Sequence, residues 1–171
     1  MSFNRNISMS LSTESIDQAI RKVRELQRKL EKCCNDLIRE LTTQGETVAK
    51  INVMSMNAVL TGALEESIKG VYNARSRTGV IFTAVPYAVY VEYGTGIVGE
   101  MSPNDNPEGE IEWEYDVNNH RDSGWWYYAS IDGVAKFRWT KGMPARPFMY
   151  NTLRWLQQNA PDVAARMFSN M

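Results

Sequence analysis

Apolar residues recur at steps of three and four along the first quarter of the chain, and this is its strongest pattern. The spacing predicts an amphipathic helix from about residue 13 to 43, with Ser12 or Thr13 as its N-cap. At ~1.5 Å per residue the helix would be about 45 Å long, more than the width of a domain of this size, so part of it should extend beyond the core or bend over it. Only Gln27 interrupts the apolar positions, which are Ile16, Ile20, Val23, Leu30, Cys34, Leu37 and Leu41.

Shorter patterns predict the elements around this helix. Alternation of apolar and polar residues over 7–11 fits a strand with one buried face. Gly45 interrupts the helical pattern, and a second helix is predicted over 46–58. Two stretches joined by a turn, 67–72 and 80–85, are rich in β-branched and aromatic residues and predict an antiparallel hairpin.

The run 87–93 is ambiguous, because its Val and Tyr content favours a strand. Pro86 in front of it and Gly94 behind it match the start and end of a short helix, and helix is the interpretation we adopt. A last helix is predicted over 146–168, and Pro161 should kink or divide it.

Residues 97–139 differ in composition from the rest of the chain and hold four of its five tryptophans. Asp132-Gly133 lies between aromatic residues there and is a signal for a tight hairpin turn. We interpret this stretch as an aromatic β lobe inserted into the main fold. The sequence thus predicts one α+β domain over 1–171: a long N-terminal helix, a second helix, a small mostly antiparallel sheet, the inserted lobe and a C-terminal helix.

The charges of the 171 residues nearly balance, with 19 Lys and Arg against 20 Asp and Glu. This balance argues against an electrostatic hold on DNA by the whole protein. The first helix is a local exception, because seven cations lie between Arg21 and Arg39. Since acidic residues from Glu25 to Glu40 are interleaved with them, this face is expected to be solvated or to contact other subunits, with a DNA-facing role as the sharper alternative.

No cofactor is predicted. Cys33 and Cys34 are adjacent, a spacing that rarely allows a mutual disulfide, and reduced thiols are expected. A metal site is not expected, since His120 is the single histidine and lies far from both cysteines in sequence. A membrane-spanning segment is not expected, since no stretch approaches the ~20 apolar residues needed to cross a bilayer. The chain is expected to act first in a cytosol.

Candidate catalytic groups are few. Glu92 with Glu112 or Glu114 could form the carboxylate pair of a glycosidase, with tryptophans lining a sugar site, but sequence spacing does not fix the ~5–10 Å separation that such a pair needs. His120 lies in a polar loop and is expected to be solvated. The string 94–99 matches a dinucleotide-binding fingerprint, yet it is followed by a proline-containing loop in which no helix is expected. No enzyme activity is therefore predicted, and a carbohydrate- or cell-wall-binding module or a lysis-associated glycosidase is the alternative.

Two segments, 87–96 and 141–149, are the most informative in the chain. Both are dense in aromatics, glycines or prolines, and each has one charged residue near its centre, Glu92 and Arg146. A planar guanidinium held between rigid neighbours suits a carboxylate, so Glu92 is the expected partner of Arg146, within the subunit or across an interface. A surface arginine at a helix N-terminus is equally compatible. We predict that both segments contact other protein chains, and the interface candidates are Tyr90, Glu92, Tyr93, Arg146 and Phe148.

Three ordered stretches carry a family resemblance. Residues 61–68 read T-G-x-L-x-x-S-I, residues 87–95 read Y-A-x-Y-V-E-Y-G-T, and residues 142–148 read G-x-x-A-R-P-F. In this order and spacing they resemble the gene-ten-product-like neck or tail-completion proteins of lambdoid-type siphophages. The resemblance covers roughly residues 45–170.

The resemblance implies an α+β structural virion protein that forms a homo-oligomeric ring at the head–tail junction of a tailed phage, with no catalytic residues. The implied partners are a head-closure or portal-side protein and the tail terminator or tail tube protein. Phage DNA would pass through the lumen without specific binding. The implied location is the virion, after assembly in the host cytoplasm. The aromatic stretch 97–139 departs from the shorter family pattern, and the neck, completion and terminator positions all stay open.

Overall fold

The computed structural model describes residues 10, 12–58, 62–104, 112–116, 118–120, 123–131 and 133–169. The predicted strand at 7–11 falls outside these residues except for Ser10. Within the described part the fold is α+β, as predicted.

Helix α1 spans Thr13–Ser55, a run of 43 residues, and begins where the sequence predicted. The Ser12 side chain caps it by accepting a hydrogen bond from the backbone N–H of Ser15 at 3.3 Å. At ~1.5 Å per residue α1 is about 65 Å long. The predicted second helix at 46–58 is the C-terminal part of this same helix.

The predicted break at Gly45 is wrong, because this glycine serves close packing inside α1. A Cβ atom on Gly45 would lie 2.3 Å from Cδ1 of Ile81 and 3.1 Å from Cδ1 of Leu156. The missing side chain therefore lets two neighbouring elements approach the helix, which offsets the ~1 kcal/mol that glycine costs in a helix.

A short helix and a β-hairpin follow α1. Helix α2 spans Ala63–Ser67, and strands β1 (Lys69–Asn73) and β2 (Thr78–Phe82) pair antiparallel from Lys69↔Phe82 to Asn73↔Thr78. This confirms the predicted hairpin. It packs on α1, and the backbone N–H of Gly70 donates to the Glu46 carboxylate at 2.8 Å.

Two short helices and a second hairpin come next. Helix α3 spans Ala88–Tyr93, which confirms the helical interpretation of that run, and α4 spans Gly96–Met101. Strands β3 (Trp125–Ile131) and β4 (Val134–Thr140) pair antiparallel as a separate two-stranded sheet. The predicted hairpin of the aromatic lobe is thereby confirmed.

Helix α5 spans Phe148–Phe168 and contains Pro161 without being divided there. It packs along α1, where the Asn52 side chain donates to the backbone oxygen of Phe148 at 3.2 Å. The core lies where α1, α2, α3 and α5 meet, and its most buried members are Ala49, Val53, Leu64, Ile68, Val91 and Phe148. No helix in the described part of the chain is long and apolar enough to cross a bilayer.

The N-terminal half of α1 differs from the rest of the fold. Every residue from Ile20 to Leu30 is exposed, and Ala19, at 8% exposed, is the one buried residue between Thr13 and Leu30. Beyond residue 30 most residues of α1 are at least partly buried, because the hairpin and α5 pack on the helix there. We call Thr13–Leu30 the helical arm.

Candidate functional site

The two segments that the sequence singled out lie against each other in the structure. Thr95 and Met143 form an antiparallel bridge, in which the N–H of Thr95 donates to the Met143 oxygen at 2.9 Å and the reverse bond measures 3.0 Å. The N–H of Arg146 donates to the Val91 oxygen at 2.8 Å. We call residues 94–99 with 141–146 the glycine junction.

Glycines make this junction possible. Gly142 has φ +105°, and a Cβ atom there would lie 1.8 Å from the carbonyl oxygen of Thr95. Gly94 has φ +81°, and a Cβ atom there would lie 2.8 Å from the backbone nitrogen of Ala145. A positive φ disfavours residues that have a Cβ atom, and such short approach distances leave no room for one, so each segment requires glycine for contact with the other.

Glu92 ties α3 to the start of α5. Its side chain is only 8% exposed and accepts hydrogen bonds from the backbone N–H groups of Met149 at 2.9 Å and Tyr150 at 3.0 Å. These amides belong to the first turn of α5, where N–H groups have no partner within the helix. The Asn104 amide donates to the same carboxylate at 3.4 Å. Glu92 therefore caps a helix whose bonded amides lie 57 and 58 residues later in the chain.

Burial sets the protonation behaviour of this carboxylate. Loss of hydration raises the pKa of Glu92 above its ordinary value, because burial penalises the charged form. The amides of Met149, Tyr150 and Phe148 and the side chain of Asn104 oppose this shift and lower the pKa, but less strongly than burial raises it. The site thus holds a carboxylate whose proton is retained more readily than in water.

Arg146 is not the partner of Glu92 within the subunit, so that alternative of the prediction is wrong, and the pairing across an interface stays untested. The Glu92 oxygens accept hydrogen bonds from the amides of α5, whereas the Arg146 guanidinium donates to the Met143 sulfur at 3.9 Å. The physical reason is geometric: the start of α5 offers fixed donors directly beside α3. Arg146 instead borders a cleft of about 500 Å³, which is also lined by Tyr87, Trp125 and Tyr127.

The interface candidates divide by burial. Phe148, at 1% exposed, belongs to the core, and Glu92 is buried as described. Neither side chain offers surface to another chain in this conformation, so the prediction that they are contact residues is corrected to an internal role. The interface role stays a prediction for Tyr90, Tyr93 and Arg146.

A tryptophan that the sequence did not connect with α3 packs against both of its tyrosines. The Trp113 ring lies 5.2 Å from that of Tyr93, stacked, and 5.6 Å from that of Tyr90, edge-on. Its indole N–H donates to the Gly94 oxygen at 2.9 Å. Burial, with the Glu92 charge as the second cause, raises the pKa of Tyr93. Trp113 thereby fixes the aromatic lobe to α3 beside the junction.

The second hairpin presents an aromatic face to solvent. Trp126 pairs with Trp139 and Tyr128 with Phe137 across the strands, each pair edge-on with ring centroids 5.5 and 5.2 Å apart. Trp126 is 63% exposed and Phe137 is 67% exposed. We call these four residues the aromatic face. It is not the core of the lobe, and such surface is typical of binding sites.

Two other candidates for chemistry, His120 and the glycine string 94–99, lie in surroundings that differ from those predicted. The His120 ring is half-buried and stacks on the Trp125 ring, with the two centroids 4.6 Å apart, and its Nδ1 lies 3.3 Å from Oδ1 of Asp116. The prediction that His120 is solvated is therefore wrong. No helix was predicted for the glycines of the string 94–99, and this is wrong, because α4 begins at Gly96. A dinucleotide-binding fingerprint also requires a strand before its glycines, and here the preceding element is the helix α3.

Cys33 and Cys34 are not bonded to each other within the chain. Among the described residues no group of three or more His, Cys, Asp or Glu side chains is arranged to hold a metal ion.

Comparison with known proteins adds no relative. The chain matches no protein-family model, no curated protein and no solved structure.

Proposed function

We propose that this chain is a structural virion protein of a tailed phage, which forms a homo-oligomeric ring at the head–tail junction and joins portal-side proteins to the tail. The observation that carries the proposal is the glycine junction. Two of the three motifs that resemble neck and tail-completion proteins, 87–95 and 142–148, form one unit around Glu92 and the start of α5. Because the two motifs contact each other in the fold, a family that shares the fold would be expected to share both motifs in this order. This supports a similarity of fold and makes a chance match of short motifs a weaker explanation.

The distribution of exposed apolar residues supports an assembly role. Large patches of this kind on a soluble protein are typical of surfaces that bind other macromolecules. Here they occur on the helical arm, on α3 and on the aromatic face. The exposed residues are Ile16, Ile20, Val23, Leu26, Leu30, Val89, Tyr90, Trp126, Tyr128, Phe137 and Trp139.

A phage that cannot make this chain tests the proposal. Negative-stain images of its lysates should show filled heads and finished tails that are not joined, and the purified chain added to such a lysate should restore joined particles. A chain carrying Gly142→Ala, which disturbs the junction, should restore fewer, whereas Arg75→Glu, on the exposed β1–β2 turn, should restore as many as the wild type. Joined, infectious particles formed without the chain would contradict the proposal.

The aromatic face favours a second function, a carbohydrate- or cell-wall-binding module. Stacked and edge-on aromatic rings that are exposed to solvent can bind the apolar faces of sugars. A hydrolase is less well supported, because the Glu92 carboxylate is engaged by the amides of α5. Retention of the chain on peptidoglycan, lost with Trp126→Ala and Trp139→Ala together, would favour this module. Failure of both glycan retention and peptidoglycan turnover is expected for an assembly protein.

A further inference from the structure

The helical arm combines apolar side chains with an excess of positive charge, which is concentrated between residues 20 and 30, since Glu14 and Asp17 lie before that stretch. Between Ile20 and Leu30, where every residue is exposed, five cations occur with a single carboxylate, Glu25. That carboxylate is already paired with Lys29 at 3.0 Å. The cations are Arg21, Lys22, Arg24, Arg28 and Lys29.

The arm also presents a continuous apolar stripe. Ile16, Ile20, Val23 and Leu30 follow steps of four, three and seven residues, which places them on one side of a helix, and Leu26 widens it. All five are between 39% and 51% exposed. A stripe of this kind beside cations fits a surface that is itself apolar and acidic.

The opposite charge is concentrated elsewhere in the same chain. Residues 78–120 contain eight Asp and Glu and no Lys or Arg. Among the described residues of this segment, Glu100, Glu112 and Glu114 are exposed. Apolar side chains accompany them, since Val89 and Tyr90 on α3 are exposed and Met101 on α4 is 79% exposed.

These acidic and apolar residues belong to elements that contact one another. Trp113, between the two exposed glutamates, lies edge-on to Tyr90 at 5.6 Å. The start of α4 is fixed to the same loop, because the N–H of Gly96 donates to the Tyr115 oxygen at 2.7 Å. We call this the acidic surface, and its residues are Val89, Tyr90, Glu100, Met101, Glu112 and Glu114.

We infer that the helical arm of one copy docks on the acidic surface of a second copy of this chain. The two surfaces are complementary in charge, and both are apolar at their exposed positions. Because the contact joins two different surfaces, each copy keeps one of each kind free for the next neighbour, which is the kind of contact that a ring requires and that forms an open filament where the rotation between copies does not close. The inference deepens the proposed function and rests on it for the ring.

Site-directed disulfide trapping tests the contact on the full-length chain. In a background with Cys33→Ser and Cys34→Ser, one population carries Val23→Cys and a second, of different size through a tag, carries Met101→Cys. After mixing and mild oxidation, the mixed disulfide should exceed each like-with-like disulfide at least about fivefold and should decrease in 0.5 M NaCl. Preferred Val23→Cys self-pairing, or no mixed product, would overturn the inference.

Charge reversal supplies the control for folding. Arg21→Glu, Arg24→Glu and Arg28→Glu together should lower the mixed product about tenfold or more, and so should Glu100→Lys, Glu112→Lys and Glu114→Lys together. Pairing the reversed arm with the reversed acidic surface should restore it. Arg75→Glu, with the same charge change on the β1–β2 turn, should leave it unchanged. Equal loss with Arg75→Glu, or no restoration in the reversed pair, would overturn the inference.

Further outcomes distinguish this inference from the proposed function and from a DNA-binding role of the helical arm. If the mixed disulfide fails while phage lacking the chain still accumulate unjoined heads and tails, the docking is wrong and the proposed function stands. If the mixed disulfide forms and phage lacking the chain join normally, the docking stands and the proposed function falls. Retention of duplex DNA at 0.2 M salt that the reversed arm abolishes, without a mixed disulfide, would overturn the inference in favour of a nucleic-acid surface.

Discussion

Replacement of Glu92 tests whether one carboxylate holds the start of α5 against α3. Glu92→Ala removes the acceptor for the N–H groups of Met149 and Tyr150, which lie 2.9 and 3.0 Å from its oxygens. A buried donor left without a partner costs about 1–3 kcal/mol. Relief from burying a charge offsets part of this cost, so we expect Glu92→Ala to lower the free energy of unfolding by about 2–4 kcal/mol.

Glu92→Gln separates hydrogen bonding from charge. Its amide keeps one acceptor oxygen and places an NH₂ group where the second oxygen was, so one of the two backbone donors loses its partner. We expect a loss of about 1–2 kcal/mol, between wild type and Glu92→Ala. The measurement is equilibrium unfolding in urea at neutral pH, followed by circular dichroism. Glu112→Gln, an exposed carboxylate, is the matched control and should stay within about 0.5 kcal/mol of wild type.

The pH dependence has a definite sign. Because burial raises the pKa of Glu92 in the folded chain, its proton contributes stability that is fully present below the unfolded pKa of ~4.3 and is lost as pH rises through the folded pKa. The difference in unfolding free energy between wild type and Glu92→Gln should therefore decrease as pH rises from 4 upward. A difference that increases with pH would refute the pKa direction, and Glu92→Ala within 0.5 kcal/mol of wild type would refute the capping role itself.

The other predictions concern the junction and the lobe. Gly142→Ala should destabilise the chain by at least about 3 kcal/mol, because φ is +105° and the new Cβ would overlap the Thr95 oxygen. Gly133 has φ +75° but open space around it, so Gly133→Ala measures the cost of backbone strain alone, which we expect to be about 1 kcal/mol. Equal losses in thermal unfolding would refute the steric part of this explanation. Trp113→Phe should cost about 1–2 kcal/mol through the lost hydrogen bond to Gly94 and reduced stacking, and a melting temperature equal to that of wild type would contradict the anchoring role. Trp126→Ala with Trp139→Ala should lower stability by no more than about 2 kcal/mol, because Trp126 is 63% and Trp139 49% exposed and the main loss is their edge-on contact. A loss as large as the ~3–5 kcal/mol of a buried tryptophan would place them in a core.

Local signals predicted the elements that depend on neighbouring residues. Pro86 and Gly94 identified α3 although its Val and Tyr content favours a strand, and Asp132-Gly133 identified the turn of the second hairpin. Ser12 identified the start of α1. In each case the physical cause, a fixed φ, a left-handed residue or a capping oxygen, acts within a few positions of the signal.

The features that escaped prediction depend on contacts distant in sequence. Gly45 looked like a helix end because only its propensity is visible locally, whereas Ile81 and Leu156 pack on it from other elements. Glu92 was assigned to Arg146 because opposite charges are visible in a sequence and free backbone amides are not. The same limit applies to Phe148, whose burial depends on how α5 is placed against α1 and α2.

The bridge between Thr95 and Met143 has a consequence for how such a chain can change over evolutionary time. It holds the two entry points of the aromatic lobe side by side, at the ~5 Å spacing of paired strands. Connections of other lengths could therefore join these two points, provided that the contacts of Asn104 and Trp113 with α3 and Gly94 are kept or replaced. The aromatic lobe can therefore differ in length and side chains among related chains, while the helices that carry it keep their positions.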